Sequence, residues 1–479
     1  MNSSISYGSL ILALLLGGCA IGPDYKRPEV ATPDTFRHME SNQSTVKTVD
    51  PQWWRAFNDP QLSATVEHAL INNYDLLAAQ TSVDAMLGKF DQAKSYLYPQ
   101  INANSSLTRK GVQNATTGGY QLREGVTSTY AASLSLASYE IDLFGKVRRA
   151  NEAARALLLT TEYARQTLQI AIASSAAVSY IKLASLNGQI ALAKENLNAS
   201  RDIEQQSALK YRHGVITESI YLQAQSEYEG AKATLSQLEA AKIGEEATLN
   251  LILGENPQAI KTTDLSAIRI PKIPEALPSS ILANRPDIAV AEQNLIAANA
   301  QIGIARAAYY PSIRLTGMLG VQSLELSNFV TNPAQLWEIA PAITLPIFSA
   351  GRIEGEIKTA EADHNKTLLQ YQKAIIGAFN DADNAIGQNA KAKEQLHYQL
   401  KRTEAIQKAY EQSRLRYKVG TISYGDLLLV QQQWLQASQQ NILAQQNTLI
   451  ATVSLYKALG GGWDKSSHLP EQNLLPAGR

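Results

Sequence analysis

The chain has 479 residues and a balanced charge, with 43 basic and 43 acidic side chains. That balance excludes the basic excess a nucleic-acid binder needs to engage phosphates. A single cysteine, Cys19, excludes an intrachain disulfide, and the six histidines show no metal-ligand spacing.

Residues 1–18 read as a signal peptide. Leu10 to Leu16 is an apolar run far short of the ~20 residues a membrane-spanning helix needs, and it suits a secretory leader. No Lys or Arg precedes it, which departs from the usual charged start. The run ends in Leu16-Gly17-Gly18-Cys19, which resembles the bacterial lipobox. The resemblance implies that the Cys19 thiol is acylated and becomes the mature N-terminus. Ala20, in place of Asp, then favours sorting to the outer membrane. Residues 19–60 read as a lipidated, extended tether stiffened by Pro23, Pro28 and Pro33.

From there the chain is written twice. Asp75 to Pro99 matches Asp287 to Pro311 at a constant offset of 212 residues. Gly145 and Gly351, Tyr211-x-x-Gly214 and Tyr417-x-x-Gly420, and Gly254 and Gly460 match at an offset of 206. The first copy therefore carries about six more residues between Pro99 and Gly145, which predicts an inserted loop there. The boundaries follow as 61–260 for the first repeat and 284–460 for the second. Residues 261–283 form a linker marked by Pro271, Pro274 and Pro278, and 461–479 form a tail.

Each copy opens on a helix. Leu76, Ala79, Val83, Met86, Phe90, Ala93 and Leu97 alternate steps of three and four, as do Ile288, Ala291, Leu295, Ala298, Ile302, Ala305 and Tyr309. Pro286 and Asp287 suit the start of the second of these. The period then changes to two, predicting a hairpin at about 100–144 and another at about 312–348, with loops such as Asn114 to Gly119. Pro341 and Pro346 would damage a central strand. Long proline-free helical stretches follow, from about Val147 to Tyr211 and from about Ile353 to Tyr417. Each turns at a glycine, Gly214 or Gly420, and returns.

Four strands cannot close a barrel in a bilayer, where the minimum is about eight. The helices, apolar on more than one side, carry the same message, so the chain must associate with copies of itself. Glu140 within Tyr139 to Lys146, Arg285-Pro286-Asp287-Ile288 and Tyr417-x-x-Gly420-Thr421, with the lipobox and the doubled plan, resemble the outer-membrane factor family. These are the TolC-like export ducts, and the likeness is to the lipoprotein branch. The fold class implied is mainly α with a transmembrane β part. A homotrimer would complete a twelve-stranded barrel in the outer membrane above a long periplasmic α-helical barrel. The implied partners are a periplasmic adaptor, an inner-membrane transporter and outer-membrane lipid. No catalysis, metal or cofactor is expected beyond the lipid on Cys19. The resemblance also assigns residues. Gly214, Val215 and Ile216, with Val419, Gly420 and Thr421, would touch the adaptor, or serve only as turns. Asp426 would ring the pore mouth, or simply stabilise a helix N-terminus. A second family acid is replaced by Leu429, with Ile220 at the matching place in the first copy. Tyr417 would hold the tip shut or merely pack, and Asp381 and Asp383 read as a solvated helix face. With four Met in all, a methionine relay for copper finds no support. A secretion duct for proteins and a lipid-anchored coiled-coil scaffold are the rival readings.

Overall fold

The doubled plan is visible element by element in the computed structural model, which describes residues 20–31, 33, 36–38, 50–112, 116–117, 120–121, 125–271 and 285–461. The signal peptide, Cys19, Pro274, Pro278, most of the Asn114–Gly119 loop and the tail beyond 461 lie outside the described residues. Helix α1 (Pro60–Asn72) begins on a proline that needs no amide donor, capped by the Asp59 carboxylate accepting from Gln61 N and Leu62 N. Helices α2 (Tyr74–Ser95) and α5 (Pro286–Ala307) have 22 residues each and open the two copies. Their seams are buried as expected: Leu76, Val83 and Phe90, then Ile288, Leu295 and Ile302. Between these, Ala79, Met86, Ala93, Ala291 and Ala298 are half-buried, and Tyr309 at the end of the second seam stays exposed.

Strands β1 (Ile101–Val112) and β2 (Gly125–Ile141) form the first hairpin, with a further two-residue pairing, Thr116–Thr117 on Tyr120–Gln121, in the connection. Strands β3 (Ser312–Ser323) and β4 (Ala334–Thr344) form the second, bridged by the short helix α6 (Leu326–Thr331). The hairpins join through β2 and β3 into one antiparallel sheet of order β1-β2-β3-β4. Two sequence expectations change here. The six-residue surplus of the first copy lies chiefly in a longer strand, 17 residues in β2 against 11 in β4, and only secondarily in a loop. Pro341 sits in β4, one of the sheet's two edge strands, and Pro346 lies beyond the strand.

Helices α3 (Lys146–Arg212) and α7 (Arg352–Lys418) are 67 residues each, about 100 Å of helix at 1.5 Å per residue. They turn and return as α4 (Glu218–Leu253) and α8 (Tyr424–Ala458). Two compact units share these elements. One comprises Met1–Glu29, Val83–Thr161 and Val290–Tyr371 and holds the sheet. The other comprises Val30–Ser82, Glu162–Ala289 and Gln372–Arg479. The core of the second unit gathers Trp53, Trp54 and Phe57 against Ala173, Ala177, Tyr180 and Ile181 of α3, with Leu249 of α4 and Leu449 of α8. Alanines at the contact let the helices approach closely. The apolar part of α3 is thus spent on this core: 56% of its most apolar window is buried within the protein.

Candidate functional site

Three features bear on function: a turn pair at the helix ends, a two-faced sheet, and a strap after the N-terminus.

The α3–α4 and α7–α8 turns are built alike. At the first, Gly214 adopts φ +70°, its N–H donates to Tyr211 O at 2.9 Å, and Val215 N–H donates to Lys210 O at 2.8 Å. At the second, Gly420 adopts φ +79°, with Gly420 N–H on Tyr417 O at 3.0 Å and Thr421 N–H on Arg416 O at 2.9 Å. This pair of bonds satisfies two of the carbonyls a helix end leaves orphaned, and the left-handed residue it requires is the reason for glycine. Val215 and Val419 stand 68% and 74% exposed at the two apices. Ile216 is half-buried beside Val215, and the Thr421 hydroxyl donates to Arg416 O at 3.0 Å.

The two turns also touch. The Lys210 ammonium lies 5.1 Å over the Tyr417 ring. Ile220, Ala224, Tyr424, Leu428 and Tyr417 form one small apolar cluster. So Ile220 packs, and Leu429 stands exposed. Tyr417 lies half-buried with its ring 6.1 Å from that of Tyr424, and burial pushes the Tyr424 hydroxyl up to about 12. Asp426 is exposed and closes a capping box. Its backbone N–H donates to Ser423 Oγ, while Ser423 N–H and Oγ–H both donate to Asp426 Oδ2, at 3.1 and 2.7 Å. These bonds, the side-chain one first, hold the Asp426 carboxyl below its ordinary 3.8. Sequence reasoning missed Lys210, Ser423 and Tyr424. The Ser-x-x-Asp spacing was the legible signal for Ser423, and nothing local announces Lys210.

The two faces of the sheet differ in character, although Arg109 falls on the apolar-rich side and Met318 and Leu336 on the polar-rich side. On one, Ile101 and Leu107 of β1, Leu134 of β2, Leu319 of β3 and Trp337, Ile339 and Ile343 of β4 are all more than half exposed. The register aligns Leu134, Leu319 and Trp337 across three strands. On the other face stand Asn102, Asn104, Ser106 and Thr108 of β1, Thr127, Thr129, Ser133 and Ser135 of β2, and Thr316 and Gln322 of β3. Asn104 Nδ2 donates to Ser135 Oγ there at 2.8 Å.

From Ala20 to Glu29 the chain is extended, as expected, and is held at several points, whereas Trp53–Phe57, also expected to belong to the extended tether, is a short 3-10 helix buried in the core. Ile21 N–H donates to Phe144 O at 3.0 Å, and Asn299 Nδ2 donates to Pro23 O at 2.7 Å. Arg149, buried, donates to Asp24 at 2.6 Å. Tyr25 and Arg27 both donate to Glu292, and burial with the Glu292 charge raises the Tyr25 hydroxyl well above its usual range. Gly22 passes Gly303 so closely that a Cβ on Gly22 would lie 2.5 Å from the Gly303 Cα. Glu292, Asn299 and Gly303 fall on one stripe of α5, and this strap covers it.

Farther along, the structure corrects one residue, leaves Asp381 on a solvated helix face as expected, and explains a third. Asp383 is no solvated face residue: it accepts from His38 N at 3.2 Å and lies 3.0 Å from His38 Nδ1. Asp381 lies 3.5 Å from Arg285. Arg285 itself donates to the Ala458 carbonyl at the end of α8 and pairs with Asp287, which ties the start of α5 to the end of α8.

A family model described as "Outer membrane efflux protein" matches residues 65–255 and 277–461, one stretch for each copy of the repeat. The chain belongs to the outer membrane efflux protein family. Among its relatives are the toluene efflux pump outer membrane protein TtgC of Pseudomonas putida, 32% identical over 95% of this chain and 94% of that one. The probable outer membrane lipoprotein SilC of Salmonella typhimurium is 32% identical over 95% and 98%. Among solved structures, the CmeC outer membrane channel of Campylobacter jejuni superposes with a TM-score of 0.84 at 25% identity, over 95% of this chain and 98% of that one. As a member of this family the chain is an outer-membrane channel component of an efflux system. The fold is the helical and β-sheet architecture of such channels.

Proposed function

We propose that three copies of this chain form the outer-membrane exit duct of a tripartite pump that expels small toxic solutes. The sheet carries this reading. One of its faces is apolar and exposed, the other is polar, and among the described residues β1 and β4 each have a side without a partner strand. Inside a bilayer each unpaired backbone group costs several kcal/mol, so the edges must close on other copies. Three sheets give twelve strands, within the range of single-chain barrels, with the polar faces around a wet lumen. The paired 67-residue helices supply the periplasmic tunnel.

The Cys19 thiol carries a lipid that fastens the strap's start to the membrane. Gly214, Val215 and Ile216, with Val419, Gly420 and Thr421, offer the adaptor an exposed backbone and two projecting valines. Three Asp426 carboxylates at the mouth would favour cations. The capping bonds both land on Oδ2, which leaves Oδ1 for that second use. Tyr417 acts by packing, gripped from the neighbouring turn by Lys210. The energy comes from an inner-membrane transporter, and passage through the duct is passive. The relative named for toluene efflux supports a small, apolar cargo. A coiled-coil scaffold would have no use for an apolar sheet face.

Planar-bilayer recording of the purified mature protein tests this reading. Stable conductance steps are expected, with a cation preference that falls in Asp426→Asn. Absence of steps from correctly folded protein would overturn it. In cells, deletion should sensitise the host to toluene-like solutes, and reintroduction of the chain should restore resistance.

A further inference from the structure

The connection between β3 and β4 is unlike the connection between β1 and β2. From Ser323 to Ala334 the only charged residue is Glu325, and the segment carries Leu324, Leu326, Phe329 and Val330. By contrast, the sequence from Arg109 to Glu124 carries four charged residues, Arg109, Lys110, Arg123 and Glu124. Apolar residues on a connection outside a barrel's wall call for a reason, because loops there ordinarily meet water.

The register supplies one. Tyr130 of β2 lies opposite Leu107 of β1, four residues along the strand from Leu134, so its side chain stands on the sheet's apolar face. The Phe329 ring of α6 lies 6.4 Å from the Tyr130 ring, and both rings are half-buried. A helix folded over the lumen would meet Thr129 or Gln322 instead. The contact with Tyr130 therefore sets α6 on the outer, apolar side of the wall. Leu326, Phe329 and Val330 fall on one stripe of α6 by their spacing. Leu326 and Val330 are 58% and 80% exposed, and Leu324 just before them is 62% exposed.

Height places the stripe against lipid. Eleven residues separate Ile141 from Tyr130, about 36 Å of strand and about 27 Å of height at a tilt near 40°. That is close to the ~25 Å apolar band of a membrane barrel, and with Ile141 taken at its inner edge Tyr130 falls at its outer rim, where aromatic girdles lie. We propose that α6 is an interfacial anchor, laying Leu324, Leu326 and Val330 among the acyl chains of the outer leaflet. The stripe continues a surface already facing lipid, which decides its occupant. The inference rests on the barrel reading of the sheet.

The test places a single environment-sensitive NBD label on Val330→Cys or Leu326→Cys protein in liposomes. The chain's one natural cysteine is Cys19, so the parent protein labelled in parallel sets the background. Ile339→Cys, in the middle of the apolar face, and Thr129→Cys, on the polar face, are the references. Lipids with a nitroxide near the headgroup should cut the Val330 signal at least twofold, as they cut that of Ile339. Iodide should quench Thr129 and leave Val330 largely untouched. Quenching of Val330 by iodide alone, or shielding from both quenchers, would overturn the anchor in favour of a wet loop or contact with another copy. If Ile339 also failed to sense lipid, the barrel reading would fall with it.

Discussion

At the α7–α8 turn, Gly420 holds φ +79° with no atom within 4 Å of where a side chain would begin. A substitution there meets no steric obstacle, only the cost of a left-handed backbone, about 1–2 kcal/mol for an ordinary L-residue. Gly420→Val should therefore loosen the tip and speed amide exchange at Thr421 to Tyr424 by about 5–30-fold, whereas Gly420→Asn, whose residue tolerates that region, should change it far less. Equal effects of the two would contradict the turn as described. Two residues on, Ser423 and Asp426 cap α8 reciprocally. Ser423→Ala should cost about 1 kcal/mol of local stability, read from the same amides. The Asp426 carboxyl is depressed when folded, so its stabilising effect is present above the unfolded value near 3.9 and disappears as pH falls through the lower folded value. Tip amides should exchange faster below about pH 4 in the parent, and the pH effect should vanish in Asp426→Asn. A loss of protection that began near neutral pH would point to another group. The tip glycines were legible in the sequence because turn chemistry is local. Asp426 was legible only as a choice between cap and gate, since the bond to Ser423 accounts for the cap and says nothing of its neighbours in an assembly.

Among the elements, the strap from Ala20 to Glu29 ties the segment after Cys19 to α5 and to the start of α3. Its tightest point is the passage of Gly22, at φ +104°, over Gly303. A Gly22→Val change sets a side chain against backbone and should free the strap. Trypsin should then cut after Lys26 at least tenfold faster, while Val126→Ala on the exposed sheet face leaves cleavage unchanged. Unaltered cleavage in Gly22→Val would mean the strap is not held at this point. The long helices were readable to within a residue, Val147–Tyr211 against Lys146–Arg212, because glycines punctuate an otherwise unbroken pattern. Strand lengths were less readable. The surplus of the first copy went into β2, a distinction the offset in residue numbers cannot make. The strap was read as a plain tether, and Asp383 as solvated, because their partners lie 267 or 345 residues away in the chain and no periodicity reports such contacts.

For the molecule as a whole, duplication explains most of what is seen. Two copies of one plan give two hairpins that pair side by side into a single sheet, and two helical pairs that turn on matching glycines. Repetition was plain in the sequence because three glycine pairs and a 25-residue stretch keep constant spacing. What the sequence stated only by its insufficiency, four strands where closure needs about eight, the structure shows, among the described residues, as two unpartnered edges flanking an amphipathic sheet. The decisive measurement is the native mass of the mature protein extracted in mild detergent, taken together with its circular dichroism. The expected result is a stable species of three copies with strand signal retained; a stable monomer that keeps its strand content would contradict the account.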